Sequence, residues 1–371
     1  MATDRNDDFL MKNIKPKKMI KMKTRSIFLT ALCSLMLGNA FTACSDEDEE
    51  IRPVIDPVLC PAYILNEGTW GGNNANVSSF VPTVKGLAQA DVYQSVNGKK
   101  LGDLANDMTE EDNQIFVVVS GSKYVVRLDA LCNEKARFTI PAGEGEPRCV
   151  DGEDGYGYVT QYGGQVSKLD AETMTRVATY NGGDNLEGII EKNGKLYVSN
   201  AYKVDGSGGY VYNKEVIVID AASMKKDGSV AVVENPGRIY DIDDVVYVLS
   251  AGNYEDVESS LQRIDLMSRI AVPITKADKI TAGNNDFIFG VRSEYDANYQ
   301  LTNSFFVYNT KTGMVSNSMF VKDAPASFQT AAIYLLEVDE ETGCIYVGTS
   351  DYITNGTIYQ FDRGGTLLQS F

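Results

Sequence analysis

Seven short runs along the chain pair an aromatic with aliphatic residues: "AYILNEG", "QIFVVVSG", "YGYVTQYG", "KLYVSNAY", "VVYVLSAG", "DFIFGVRS" and "CIYVGTSD". They lie roughly 40 to 57 residues apart, a spacing suited to repeated supersecondary units. Each is followed by a second apolar run: "VSSFVP", "VVRLDA", "VSKLDA", "VIVIDA", "LQRIDL", "FFVYNT" and "IYQFDR". In six of these an apolar residue precedes Asp129, Asp170, Asp220, Asp265, Asn309 or Asp362, side chains that bond the backbone two residues on and start a turn. The first copy departs from this, with Val81-Pro82 at the turn. Upstream turns such as "EDG" at 153–155, "KNG" at 192–194 and "ETG" at 341–343 imply a further strand before each aromatic run.

Four strands in about 45 residues, repeated in fixed order to the last residue, predict an all-β, seven-bladed β-propeller with four-stranded antiparallel blades. A β-sandwich followed by a second β-domain would not explain the recurrence. The first copy lacks an inner strand of its own, which residues 51–60 are expected to supply. Composition agrees: 33 Gly, 21 Tyr and 14 Phe favour strands and tight turns.

The amino-terminal segment follows a different pattern. Lys21, Lys23 and Arg25 precede the apolar run "IFLTALCSLML", too short to span a bilayer, and "GNAFTAC" follows. This reads as a signal peptide over residues 1–43, with an upstream extension, and small residues before Cys44 match a bacterial lipobox. Cys44 is then the acylated first residue of the mature chain, and residues 44–59, opening with "SDEDEE", form an acidic tether ahead of a propeller over residues 60–371. An acidic run behind the lipidated cysteine resembles the signal that sends lipoproteins of the Bacteroidetes to the cell surface. The expected location is the outer membrane, lipid-anchored and facing outward.

Removing residues 1–43 leaves 26 Lys and Arg against 48 Asp and Glu, a net charge of −22. Such a surface repels nucleic acid and anionic lipid, so acyl chains rather than a basic patch must hold the protein to the membrane. Cys60, Cys132, Cys149 and Cys344 remain, without paired spacing; buried thiols are expected, with room for one bridge.

In a propeller the loops between second and third strands share a face with the loops that link blades. The only tryptophan, Trp70, falls on such a loop, and the matching loops carry Tyr124, Tyr162, Tyr202, Tyr254, Tyr295 and Tyr352. About half of these tyrosines are expected to pack within the blades. Beside them stand Asn66, Glu67, Gln161, Asn200, Asn253, Arg292 and Asp351, and the linking loops add Arg148, Asn185, Arg238 and Gln329. Aromatic faces among amide and guanidinium donors suit a large, flat, largely neutral ligand such as a corrinoid or a sugar.

The chain has no histidine, which excludes Ser-His-Asp and Cys-His catalysis and histidine-metal sites. Runs such as "DGEDG" and "DIDD" leave calcium binding open but lack the spacing of a known calcium loop, and no metal and no catalytic cofactor is expected. Carboxylate pairs of the glycosidase kind stay open among so many acids. A binding protein is the expected class rather than an enzyme.

The lipobox with its acidic tail, "ILNEGTWGGNNANVSSF" and "LYVSNAY" together resemble surface lipoproteins of gut Bacteroidetes with YncE-like seven-bladed propellers, over residues 44–371. These include the BtuG proteins, which capture cobalamin and pass it to a TonB-dependent transporter. The resemblance implies a cobalamin-binding face, with Asn66-Glu67-Gly68 as its family-like stretch. The lack of histidine fits a grip on the corrin ring and its amides that leaves the cobalt's axial ligand in place. Glycan binding or cleavage is the alternative the loops allow.

Overall fold

The structure, a computed structural model, describes residues 16–21, 62–284, 286–351 and 355–371. Its first sheet holds Pro16–Lys21 (β1), Ala62–Asn66 (β2) and Asn76–Phe80 (β3). The next holds Ala105–Glu111 (β4), Gln114–Val119 (β5), Tyr124–Asp129 (β6) and Glu134–Thr139 (β7). Then come Pro147–Glu153 (β8), Tyr156–Gln161 (β9), Gln165–Asp170 (β10) and Arg176–Asn181 (β11). An eight-stranded sheet contains Asn185–Lys192 (β12), Lys195–Val204 (β13), Tyr210–Asp220 (β14), Lys225–Ala231 (β15), Pro236–Ile242 (β16), Val245–Ser250 (β17), Ser260–Asp265 (β18) and Ile270–Thr275 (β19). Two further sheets hold Lys279–Ala282 (β20), Phe287–Tyr295 (β21), Leu301–Asn309 (β22) and Val315–Ser316 (β23), and Ala332–Val338 (β24), Ile345–Ser350 (β25), Thr357–Phe361 (β26) and Leu367–Ser370 (β27).

The fold is all-β and propeller-like, with four-stranded antiparallel blades. Among the described residues four blades stand as separate four-stranded sheets, where the sequence predicts seven. The difference has local causes. A parallel bridge between Ala231 and Ile270 joins the outer strands β15 and β19, fusing two runs of four. In the first sheet the strand after β3 shrinks to a single bridge, Ser79 with Gln89, and the chain enters a helix, Val92–Asn97 (α1). Asp91 caps α1 by accepting from the Gln94 amide, and Gly98 ends it in the left-handed region.

The position beside β2, expected for residues 51–60, is held by β1. Its residues fall in the stretch read as preceding the export signal, so the described sheet reaches outside the predicted 60–371 boundary; residues 51–60 themselves lie outside the described residues.

The predicted turns explain the strand ends. The first hairpin of successive units turns on Asp112-Asn113, Asp154-Gly155, Asn193-Gly194 and Asp243-Asp244, all with positive φ, the geometry whose twist matches paired strands. After the third strands, Asp129, Asp170, Asp220, Asp265 and Asn309 each accept a backbone N–H two or three residues on, and Asp362 accepts from Thr366.

Second strands such as β5, β9, β17 and β25 are buried along almost their whole length, because each sheet is packed on both faces. Each core cluster is shared by two successive units. Phe116 and Val118 of β5 pack with Val150 and Val159, for example, and Ile190 and Tyr197 with Ile239 and Val246. The circuit closes where Ala62, Ile64 and Phe80 pack with Leu335, Tyr346 and Ile358. Polar contacts reinforce this seam: Gln360 Nε2 donates to the Pro82 carbonyl at 3.0 Å, and the Gly86 amide to Gln369 Oε1 at 2.8 Å.

Candidate functional site

The inner strands share an irregularity near their starts. Register shifts fall at Ala105/Asp107 in β4, Pro147/Val150 in β8, Leu186/Ile189 in β12, Pro236/Ile239 in β16 and Ile333/Leu335 in β24. A bulge leaves residues out of the ladder and re-aims their side chains. The residues so released are Asn106, Arg148 with Cys149, Glu187 with Gly188, Gly237 with Arg238, and Tyr334. Asn106 Nδ2 donates to the Arg148 carbonyl and Arg148 pairs with Glu187, while Arg238 reaches Asp107 and Tyr334 reaches Glu67.

Arg148 makes a two-pronged pair with Glu187, Nε to Oε2 and Nη2 to Oε1, both at 3.2 Å. Its guanidinium carbon lies 4.6 Å from the centre of the Tyr162 ring, whose hydroxyl donates to Glu187. Burial alone would lower the Arg148 pKa, but the neighbouring Glu187 carboxylate outweighs it and holds the guanidinium charged. Burial, followed by Glu187, pushes the Tyr162 phenol far above its ordinary range, so it stays a neutral donor.

From Tyr162 a row of rings runs outward in edge-to-face contacts, 5.8 Å to Tyr202 and a further 5.3 Å to Tyr210. Tyr212 lies 5.8 Å from Tyr254 in the same manner. Tyr202, Tyr210 and Tyr212 stand on β13 and β14, a hairpin that outruns its neighbours and turns at Asp205, whose Oδ1 accepts the Ser207 and Gly209 amides. The β21–β22 hairpin is also long and ends the same way, Asp296 accepting the Asn298 and Gln300 amides. Tyr210, Tyr254, Tyr295 and Tyr299 are all exposed. The result is a cation–carboxylate centre flanked by aromatic edges, able to stack a flat ligand and hydrogen-bond its periphery.

The predicted site residues separate into groups. Trp70, 48% exposed, Tyr254 and Tyr295 are presented to solvent, and Arg148, Tyr162 and Tyr202 join the centre. Tyr124, only 6% exposed, packs inside its sheet under the Arg137 guanidinium at 3.7 Å and leaves the candidate set. Asn200 is buried too, donating to Glu215 and accepting the Asp184 amide, so it braces the hairpin. Arg292 is spent on the Lys276 carbonyl, Thr275 and Asn317. Asn66 ties β2 to β3 through Asn76 and Ser78, and Glu67 accepts the Tyr334 hydroxyl at 2.6 Å across the seam. Asp351 is exposed at the end of β25. Tyr352 and Cys44 lie outside the described residues.

Glu187, Tyr210, Tyr212 and Tyr334 carry no mark in the strand pattern that singles them out as site residues. The alternation in "GGYVYN" is the one signal of the extended hairpin; nothing in the hydrophobic pattern marks a bulge. Cys132, Cys149 and Cys344 are free thiols, the first two buried as expected; Cys60 lies outside the described residues.

No protein-family profile matches the chain. No curated protein matches it either. Among solved structures it is similar to the Kuenenia stuttgartiensis hydrazine synthase, at 15% identity and a TM-score of 0.57, covering 70% of this chain and 76% of that one. It is also similar to U3-55K, at 10% identity and a TM-score of 0.53, covering 72% and 81%, and to the RRP9 WD40 repeats, at 10% and 0.52, covering 72% and 80%. At such identities these likenesses establish the class alone, a β-propeller.

Proposed function

We propose that this protein is a cell-surface lipoprotein, anchored through Cys44, whose propeller captures cobalamin or a related corrinoid for a TonB-dependent outer-membrane transporter. The observation that carries the reading is the Tyr162–Tyr202–Tyr210 row beside the Arg148–Glu187 pair. Ring edges and exposed faces suit a broad macrocycle, while the flanking polar groups suit its amide rim. The resemblance of "ILNEGTWGGNNANVSSF" to the YncE-like lipoproteins supports the wider propeller family, which includes the cobalamin-capturing BtuG proteins alongside members with other ligands.

The ring is read as seven units, counting the fused sheet as two and the first sheet as one. Seven core clusters, each shared by two successive units around a closed circuit among the described residues, support that count. A mature chain starting at Cys44 lacks β1, and the sequence assigns the place beside β2 to residues 51–60. A protein beginning at residue 45 then folds with the stability of the full chain; a lower melting temperature would count against the replacement.

Cyanocobalamin is coloured, so a tight complex carries pigment through gel filtration, and calorimetry reads the affinity. No co-elution and no heat at high micromolar protein would remove this reading. The separate exposed platforms of Tyr254, Tyr295 and Tyr299 favour a glycan as the second candidate, and glycan-array binding or release of reducing ends would reveal it. Fatty-acid labelling that is lost in Cys44→Ala tests the anchor, and protease shaving of intact cells tests the outward orientation.

A further inference from the structure

A cavity of about 520 Å³ lies between β16–β17 and β20 and reaches the adjoining inner strand β24. Neither the tyrosine row nor the Arg148–Glu187 pair lines it, although Gly237 and Arg238 stand between it and the smaller cleft that holds Arg148 and Glu187. Its size falls within the range of small-molecule pockets, far above that of a buried water site.

The lining is chemically mixed and balanced. Arg238 and Lys279 bring positive charge, Asp278 and Glu337 negative charge, and Tyr240 and Tyr334 add phenols. Several of these groups are held in place by bonds outside the cavity. Arg238 Nη1 donates to Asp107 Oδ1 at 2.9 Å, the Tyr334 hydroxyl donates to Glu67 Oε2 at 2.6 Å, and Asp278 accepts the Ser293 amide at 2.7 Å. The Lys279 ammonium lies 5.5 Å from the centre of the Tyr334 ring. Burial, first among its causes, pushes the Tyr240 phenol above its ordinary value, leaving it a neutral donor. Ile239, Leu249, Ile280 and Leu336 supply apolar wall between the polar groups.

With two cations set against two carboxylates the lining carries no net charge, so a charged ligand gains no net attraction there to offset the hydration it gives up. An uncharged ligand with donors and acceptors at several positions meets a partner at each. We propose that this cavity is a second binding site, for a small uncharged solute rich in hydroxyl and amide groups.

N-acetylglucosamine is a suitable probe, because it combines hydroxyls with an acetamide and carries no charge. Ligand-observed NMR or calorimetry on the full chain should show saturable millimolar binding. Ala251→Trp places an indole at the mouth from an exposed position just beyond β17, where folding tolerates it, and should weaken binding at least tenfold. Glu337→Gln should weaken it severalfold, and Met267→Ala, on a distant exposed turn, should leave it unchanged. The anionic N-acetylneuraminate should bind at least tenfold more weakly than N-acetylglucosamine. Absence of binding, binding that survives Ala251→Trp, or equal binding of the anion would each overturn the proposal.

Discussion

Asp107 and Arg238 are 131 positions apart in the chain, yet Asp107 Oδ1 accepts from Arg238 Nη1 at 2.9 Å. They belong to the inner strands β4 and β16, with β8 and β12 between them along the ring, so the pair is a chord across its centre. The Asp107 side chain is 2% exposed and also accepts the Val150 amide at 3.1 Å. Arg238→Met takes the guanidinium from a buried carboxylate that keeps the Val150 amide, and should cost roughly 1–3 kcal/mol in chemical denaturation, less than a fully buried pair because the Arg238 side chain is partly exposed. Replacing both partners, Asp107→Leu with Arg238→Met, should recover much of that loss. An unchanged midpoint for Arg238→Met alone would mean the tie contributes nothing.

Gly188 sits where two bulges meet. A Cβ there would stand 2.4 Å from the Gly237 carbonyl oxygen and 2.9 Å from the Ile239 nitrogen, backbone atoms that cannot swing aside. Gly188→Ala should therefore lower stability by about 1–3 kcal/mol, as overpacking does. It should also displace Glu187 and weaken any ligand held by the Arg148 centre. A thermal scan matching the parent would contradict the close approach.

Glu134 links acid stability to the blade edge. Burial alone would raise its pKa, but bonds from Arg137 at 2.9 and 3.1 Å, from Tyr93, and from Lys99 at 2.9 Å together hold it below the ordinary 4.5. A carboxylate with a depressed folded pKa adds stability above about 4.5, and that stability disappears as pH falls through the folded value. Glu134→Gln should be less stable than the parent by roughly 1–3 kcal/mol at pH 7. The gap should narrow as urea titrations are repeated toward pH 3, and a constant gap would show that its charge is not the cause.

Burial pushes the Cys132 thiol up to about 12 and the Cys149 thiol up to about 11. The reactive thiolate is then scarce at pH 8, and the surrounding core blocks access. Iodoacetamide followed by peptide mass spectrometry should find both unmodified in the folded protein and both alkylated in denaturant. Rapid native labelling of either would mean that its sheet opens locally.

Two tyrosines of identical chemistry should diverge in ligand binding. Tyr202 stands in the row of rings beside the Arg148 centre, and Tyr124 is sealed under Arg137. If cyanocobalamin is the ligand, Tyr202→Ala should weaken it by about 1–3 kcal/mol, while Tyr124→Phe leaves the affinity unaltered. Equal effects in calorimetry would place the ligand elsewhere.

The strand pattern is legible in the sequence because each second strand is buried on both faces and each turn needs Asp, Asn or Gly for its own backbone reasons. "KNG" at 192–194 and Asp220 mark their turns by residue type alone. The fusion of β15 with β19 is not legible, since one parallel bridge leaves no periodic trace. Of the site, exposed loop aromatics such as Trp70 and Tyr254 are readable from their polar, glycine-containing surroundings. Asn200 and Arg292 mislead because a polar side chain that braces its own hairpin, as Asn200 does, or ties neighbouring segments, as Arg292 does with Thr275, Lys276 and Asn317, looks in sequence like one offered to a ligand. Glu187 is invisible: its role depends on a bulge, and a bulge shifts pairing without changing composition.

Because the bulged positions sit outside the ladder, their side chains carry no share of the strand pairing that holds the blades together. Asn106, Arg148, Glu187, Arg238 and Tyr334 thus resemble movable type set in a fixed frame. A lineage, or an engineer, could reset those five characters to recognise a new molecule, provided that Arg148 changes with Glu187, Arg238 with Asp107 and Tyr334 with Glu67, and the glycines between them stay.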